Sequence, residues 1–116
     1  MDLKEFYKEA GIEFETVVGR FGGAEALVRR FLGKFKNDGS FAVLEEGIEK
    51  MDLEMIERGS HSLKGVASNL GLANLQKYAE AVLAHVRTGG DVQKAKELFQ
   101  PVKEEYDKVI SRLENL

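Results

Sequence analysis

The stretch from residue 53 to 70 constrains this chain more than any other. Leu53, Ile56, Leu63, Ala67 and Leu70 recur at spacings of three, four or their sum, the period of a helix with a single apolar stripe. Asp52 stands where an N-cap belongs, and Glu54 adds acid near the positive end of the helix dipole. Gly71 follows the last apolar position and reads as a left-handed C-cap. At 1.5 Å per residue the helix spans roughly 27 Å. A stripe of that length has to be covered by other helices.

The rest of the chain supplies them. Asp2 can cap a short helix with Leu3, Phe6, Tyr7 and Ala10 apolar and Gly11 at its end. Phe14, Val17, Val18 and Phe21 make a second short stripe before Gly22-Gly23. Leu27, Val28, Phe31, Leu32 and Phe35 line one face; Phe41, Leu44, Ile48 and Met51 line another. Asn37-Asp38-Gly39-Ser40 reads as a break between them, with Ser40 as N-cap. Residues 73 to 88 place Leu75, Tyr78, Ala79, Val82 and Val86 inward, and so short a connection from Gly71 makes this helix an antiparallel neighbour. After Gly89-Gly90-Asp91 a last helix carries Val92, Ala95, Leu98, Phe99, Val102, Tyr106, Val109, Ile110 and Leu113 on one side. A kink or a new start is expected at Pro101. Gly59 faces the flank of the core, where close packing of another helix explains it.

Composition removes several classes of function. With no cysteine there is no disulfide framework, thiol nucleophile or cysteine zinc site. A net charge of -3 without a basic stripe argues against nucleic acid as the main partner. The cluster Arg29, Arg30, Lys34 and Lys36 reads as a solvated face. No apolar run approaches membrane-spanning length, and the start is unlike a secretory signal, so no membrane is expected and the cytoplasm is the default location.

One residue of the central helix does not belong to its packing. His61 falls about 160° around the wheel from Leu63, so the imidazole stands on the wet face. Glu57, Arg58, Lys64 and Gly65 are its neighbours one turn away, and Ser68 lies two turns on. A neutral imidazole is a competent nucleophile near pH 7. An ammonium three residues on can steady the oxygens of a phosphoryl group in a loose transition state. Gly65 costs roughly 1 kcal/mol against alanine and clears space beside the ring. His85 reads as a half-buried, hydrogen-bonded histidine, and two histidines without further ligands give no metal site.

His61-Ser62-Leu63-Lys64-Gly65, followed by Ser68, Gly71 and Leu75, resembles the signature of histidine-containing phosphotransfer (HPt) domains: His-x-Leu-Lys-Gly, a small residue at plus seven, Gly at plus ten and Leu at plus fourteen. The Asp52-led helix start, Phe21-Gly22-Gly23 and the Phe31 to Phe35 pattern are also similar, so the resemblance runs in looser form over about residues 11 to 116. It implies an all-α, antiparallel up-and-down four-helix bundle with arms at about 24–50, 53–70, 73–88 and 92–115. Residues 1–21 would be N-terminal capping helices on a single domain whose bundle is 22–116. The break at 37–40 would then be at most a kink in one long arm, and both forms stay open.

The function implied is a phosphorelay intermediate of a two-component system. His61 would accept a phosphoryl group from a receiver-domain aspartyl phosphate and pass it to another receiver, with Lys64 stabilising the phosphoryl oxygens. Glu57, Arg58, Gly65, Ser68, Gln76 and Glu80 would form the receiver-docking surface. The partners the resemblance implies are response-regulator receivers and a hybrid sensor kinase. No cofactor is expected, Mg²⁺ belonging to the receiver. No nucleotide-binding loop or Mg²⁺-binding carboxylate cluster is evident, so no autokinase activity is expected. One position departs from the family: a Glu or Gln often stands at plus twenty-two, beside the imidazole, and here it is Leu83. Either that hydrogen bond is missing, or Gln76 or Glu80 supplies it from an adjacent turn. The departure at Leu83 keeps open the alternative reading, a module that docks receivers without carrying phosphate.

Overall fold

A computed structural model describes all of residues 1–116, and every regular element in it is an α-helix. In chain order these are α1 (Leu3–Ala10), α2 (Phe14–Arg20), α3 (Glu25–Phe35), α4 (Ser40–Lys50), α5 (Leu53–Leu70), α6 (Ala73–Arg87) and α7 (Val92–Glu114). Three of the helix starts are capped as their sequences require. Asp2 accepts from the Glu5 amide at 2.8 Å, Asp52 from Met55 at 3.1 Å and Asp91 from Lys94 at 2.9 Å, each satisfying an amide that would otherwise lack a partner. Gly11 and Gly71 end α1 and α5 in the left-handed conformation, at φ 95 and 74.

α5 lies at the centre, between α4 and α6, with α7 packed on α6 and meeting α4. Its buried face is Ile56, Gly59, Ser60, Leu63, Ala67 and Leu70. The apolar side chains of that face join one core with Leu32, Phe35, Leu44, Leu75, Ala79, Val82, Val102 and Val109. The connectors between α4 and α5 (Met51, Asp52) and between α5 and α6 (Gly71, Leu72) are too short for anything but reversal.

Two glycines let α4 and α5 touch through their backbones. A Cβ on Gly59 would stand 2.5 Å from Leu44 N and 2.6 Å from Leu44 Cα, and one on Gly47 would stand 2.8 Å from Ile56 N. Backbone cannot turn aside as a side chain can, so the helices would have to separate. Overpacking costs about 1–3 kcal/mol or more, and the gain in helix propensity returns only about 1 kcal/mol. Gly59→Ala is expected to destabilise by about 2 kcal/mol, a fall of roughly 6–10 °C in Tm read by thermal unfolding. An unchanged Tm would show that α4 and α5 are not held this close.

The N-terminal helices close on one end of this assembly. Leu3, Phe6, Tyr7 and Ala10 are buried. The Tyr7 hydroxyl donates to the Leu70 carbonyl at 2.8 Å, and burial pushes that phenol well above its ordinary pKa. Arg112 of α7 reaches Glu9 at 2.8 Å and the buried Glu105 at 3.5 Å, tying α1 to the last helix.

Several expectations are corrected. Of the two forms left open for residues 24–50 the structure has the two helices, not the single arm of 24–50: the chain turns at residues 36–39, and of α3 and α4 it is α4 that packs along α5. Ser40 is the first residue of α4 rather than its cap. Gly39 stands at the N-cap with no side chain to offer, and the Ser40 amide donates instead to Asp38 Oδ1 at 2.9 Å. Leu53 and Met51 lie at the α4–α5 turn, past the edge of the core, and are 42% and 71% exposed. Phe31 is 37% exposed and packs on Phe21 instead of entering the core. α7 runs through Pro101 without a new start, because the Glu97 carbonyl left without its donor lies on an exposed residue that water can reach.

Candidate functional site

His61 is exposed at the middle of α5, and its ring makes no hydrogen bond within the chain. The residue before it faces the other way. Ser60 is fully buried, and its hydroxyl donates to Ile56 O at 2.7 Å and to Glu57 O at 3.2 Å. It needs no partner outside its own helix. His61 lines none of the four cavities of the surface. The largest, about 770 Å³, sits at the α1–α2 turn around Lys8, Ile12 and Phe14. The imidazole therefore stands on a convex surface, open to a macromolecule and offering no cleft to a small substrate.

Two ion pairs cross from α5 to α6 on either side of the ring. Glu57 Oε1 is 3.2 Å from Arg87 Nε, and Glu80 Oε2 is 2.5 Å from Lys64 Nζ. The antiparallel register that sets Lys64 opposite Glu80 and Glu57 opposite Arg87 sets His61 opposite Leu83. Leu83 is only 1% exposed, sealed between the helices beneath these pairs. Glu80 Oε2 is shielded from solvent and has no well-directed hydrogen bond, so the close ammonium is its sole compensation. As a pair, Lys64 and Glu80 remain 35% and 46% exposed, which limits the worth of the contact to about 0–1 kcal/mol.

The opposite flank differs. Arg58 is exposed without an ion-pair partner, beside a dip of about 230 Å³ lined by Gly39, Ser40, Val43, Arg58, Gly59 and Ser62. A Cβ on Gly65 would meet nothing within 4 Å. Nothing inside the chain requires a glycine there. Ser68 is half-buried, and its carbonyl accepts from Arg20 of α2 at 3.1 Å.

A family model matches residues 26–115, and it is that of the Hpt domain. The chain is a member of the Hpt family. No curated protein and no solved structure matches it significantly. Hpt domains are phosphotransfer intermediates of two-component phosphorelays and interact with receiver domains and kinases. No helix of this Hpt protein is long and apolar enough to cross a membrane.

The structure gathers six of the eight candidate residues around one face: His61, Glu57, Arg58, Lys64 and Gly65 on α5, and Glu80 on α6. Gln76, half-buried one turn before Glu80, makes no hydrogen bond with the ring, and Ser68 sits two turns away. Of the two forms left open at the ring, the hydrogen bond is the missing one: neither Gln76 nor Glu80 supplies it to His61, and Glu80 is taken by Lys64. Arg87 is the residue that spacing did not bring forward. Its signal was the antiparallel register, which needs the α5–α6 turn to be placed to the residue. His85 is as expected: its side chain is 19% exposed, its Nε2 lies 2.9 Å from Asp91 O, and its ring covers Gly90. No group of three or more His, Asp or Glu is arranged to hold a metal ion.

Proposed function

We propose that this Hpt protein carries a phosphoryl group on His61, taking it from the aspartyl phosphate of one receiver domain and giving it to another. The observation that carries the reading is an exposed, uncommitted imidazole at mid-helix beside a cation and a glycine that the fold does not need. In the transfer a ring nitrogen forms the new N–P bond as the acyl O–P bond of the aspartyl phosphate breaks. The carboxylate departs with the bonding pair, and the ring proton goes to solvent. The phosphoryl group stays activated, so the step runs in either direction.

Lys64 lies one turn C-terminal to the ring. Helical side chains lean toward the N-terminus, so its ammonium can reach a phosphoryl group on His61 once it leaves Glu80. Arg58, Glu57, Gly65, Ser68, Gln76 and Glu80 form the docking face. The Mg²⁺ that the chemistry requires is supplied by the receiver, and ATP is used by a hybrid sensor kinase rather than by this chain, in the cytoplasm. We read α4 to α7 as an antiparallel up-and-down four-helix bundle with residues 1–21 as its cap. The reversals at 51–52 and 71–72 support this.

Transfer from a panel of phosphorylated receivers tests the reading. Label that is acid-labile and base-stable is expected on the wild-type chain within the lifetime of the receiver phosphate. A second reading, docking without phosphate, is favoured by Leu83, which leaves the ring without an internal hydrogen-bond partner. Receivers that bind but never transfer would select it.

A further inference from the structure

Lys64 is not free. Its ammonium lies against a carboxylate oxygen that is shielded from water and has no other partner. A phosphoryl group on His61 brings about two negative charges to compete with that one carboxylate for the one ammonium. The other charges around the ring do not enter this contest on equal terms. Glu57 is held by Arg87, and Glu57 and Arg58 both stand one turn N-terminal, with side chains that lean away from the ring.

We propose that Glu80 is a positioning residue that sets how tightly His61 holds its phosphoryl group, by drawing the Lys64 ammonium onto α6. The proposal rests on the phosphotransfer reading above. Its physical sense lies in reversibility. A relay intermediate that bound the group too well would keep it. The Glu80 carboxylate takes up part of the lysine's charge and repels the phosphoryl oxygens, so the N–P bond stays easy to transfer. The weakness of a half-exposed ion pair is what allows the ammonium to be shared rather than locked.

The test uses the full chain with potassium phosphoramidate at a fixed ammonium concentration, followed by ³¹P NMR. The donor N–P bond breaks, a ring N–P bond forms, and ammonia leaves with the ring proton as ammonium. The plateau ratio of phosphorylated to free protein then measures the affinity of the site without any receiver. Glu80→Gln is expected to raise that ratio roughly three- to tenfold, the range for removing one charge at this distance near a surface. Glu80→Asp keeps the charge and is expected to stay nearer the wild type. In a Lys64→Ala background the gain should shrink below about twofold; a merely structural Glu80 would not depend on Lys64. A ratio unchanged by Glu80→Gln, or a full gain without Lys64, overturns the proposal while labelled wild type leaves the phosphotransfer reading standing. A wild type that takes no phosphoryl group from phosphoramidate or from any receiver overturns both.

Discussion

His61→Gln is expected to abolish acid-labile label from every receiver while leaving both the fold and receiver binding intact. The ring is exposed and unbonded, so its removal takes nothing from the core. Surface substitutions of this kind stay within about 0.5 kcal/mol. An amide has no nucleophilic lone pair to replace the ring nitrogen, so the loss of transfer should be complete rather than graded. No second histidine can stand in. His85 is 19% exposed with Nε2 held at 2.9 Å from the Asp91 carbonyl. Three measurements on the same variant carry the argument: thermal unfolding, receiver binding, and label after acid and base treatment. Label surviving the substitution would place the chemistry on another residue. Loss of binding together with label would mean that the imidazole docks the partner, and the separation of docking from chemistry would fail.

How much of this was legible in the sequence follows from the range of each interaction. The caps at Asp2, Asp52 and Asp91 and the left-handed glycines at 11 and 71 are local, and each reads from a few neighbouring residues. The buried stripe of α5 also reads from period alone, and so does the opposite placement of His61. The failures cluster where an element ends. Leu53 and Met51 share the apolar spacing of their helices, yet they overrun the layer that would cover them. Pattern tells which face a residue is on and says nothing of how far the neighbour extends. The break at 36–39 was legible in Asn37-Asp38-Gly39, and the competing long arm came from the resemblance. The pairing of Lys64 with Glu80 and of Glu57 with Arg87 needed the register between two helices. Spacing within one helix cannot supply it.

The sharpest separation of fold from function is expected at Gly65, where a larger side chain should strengthen one and block the other. Gly59 and Gly65 stand on the same helix for opposite reasons. A Cβ at 59 strikes the backbone of Leu44; a Cβ at 65 meets nothing. Glycine in a helix interior is worse than leucine by somewhat under 1 kcal/mol, and no internal contact repays that cost at 65. Gly65→Leu is therefore expected to stabilise the chain by roughly 0.5–1 kcal/mol, a rise of a few degrees in Tm. The new side chain would lean toward the N-terminus and lie over the turn that carries His61, across the path of a receiver. Transfer from phosphorylated receivers should fall at least tenfold, about 1.4 kcal/mol in the barrier. Phosphoramidate is small enough to pass beside one leucine, and its labelling of His61 should fall far less. That contrast between a large donor and a small one isolates docking from reactivity on a protein that is better folded than the wild type. Equal losses with both donors would mean that the leucine disturbs the imidazole itself. Unchanged transfer from receivers would remove Gly65 from the docking face and leave its cost to the helix without a function.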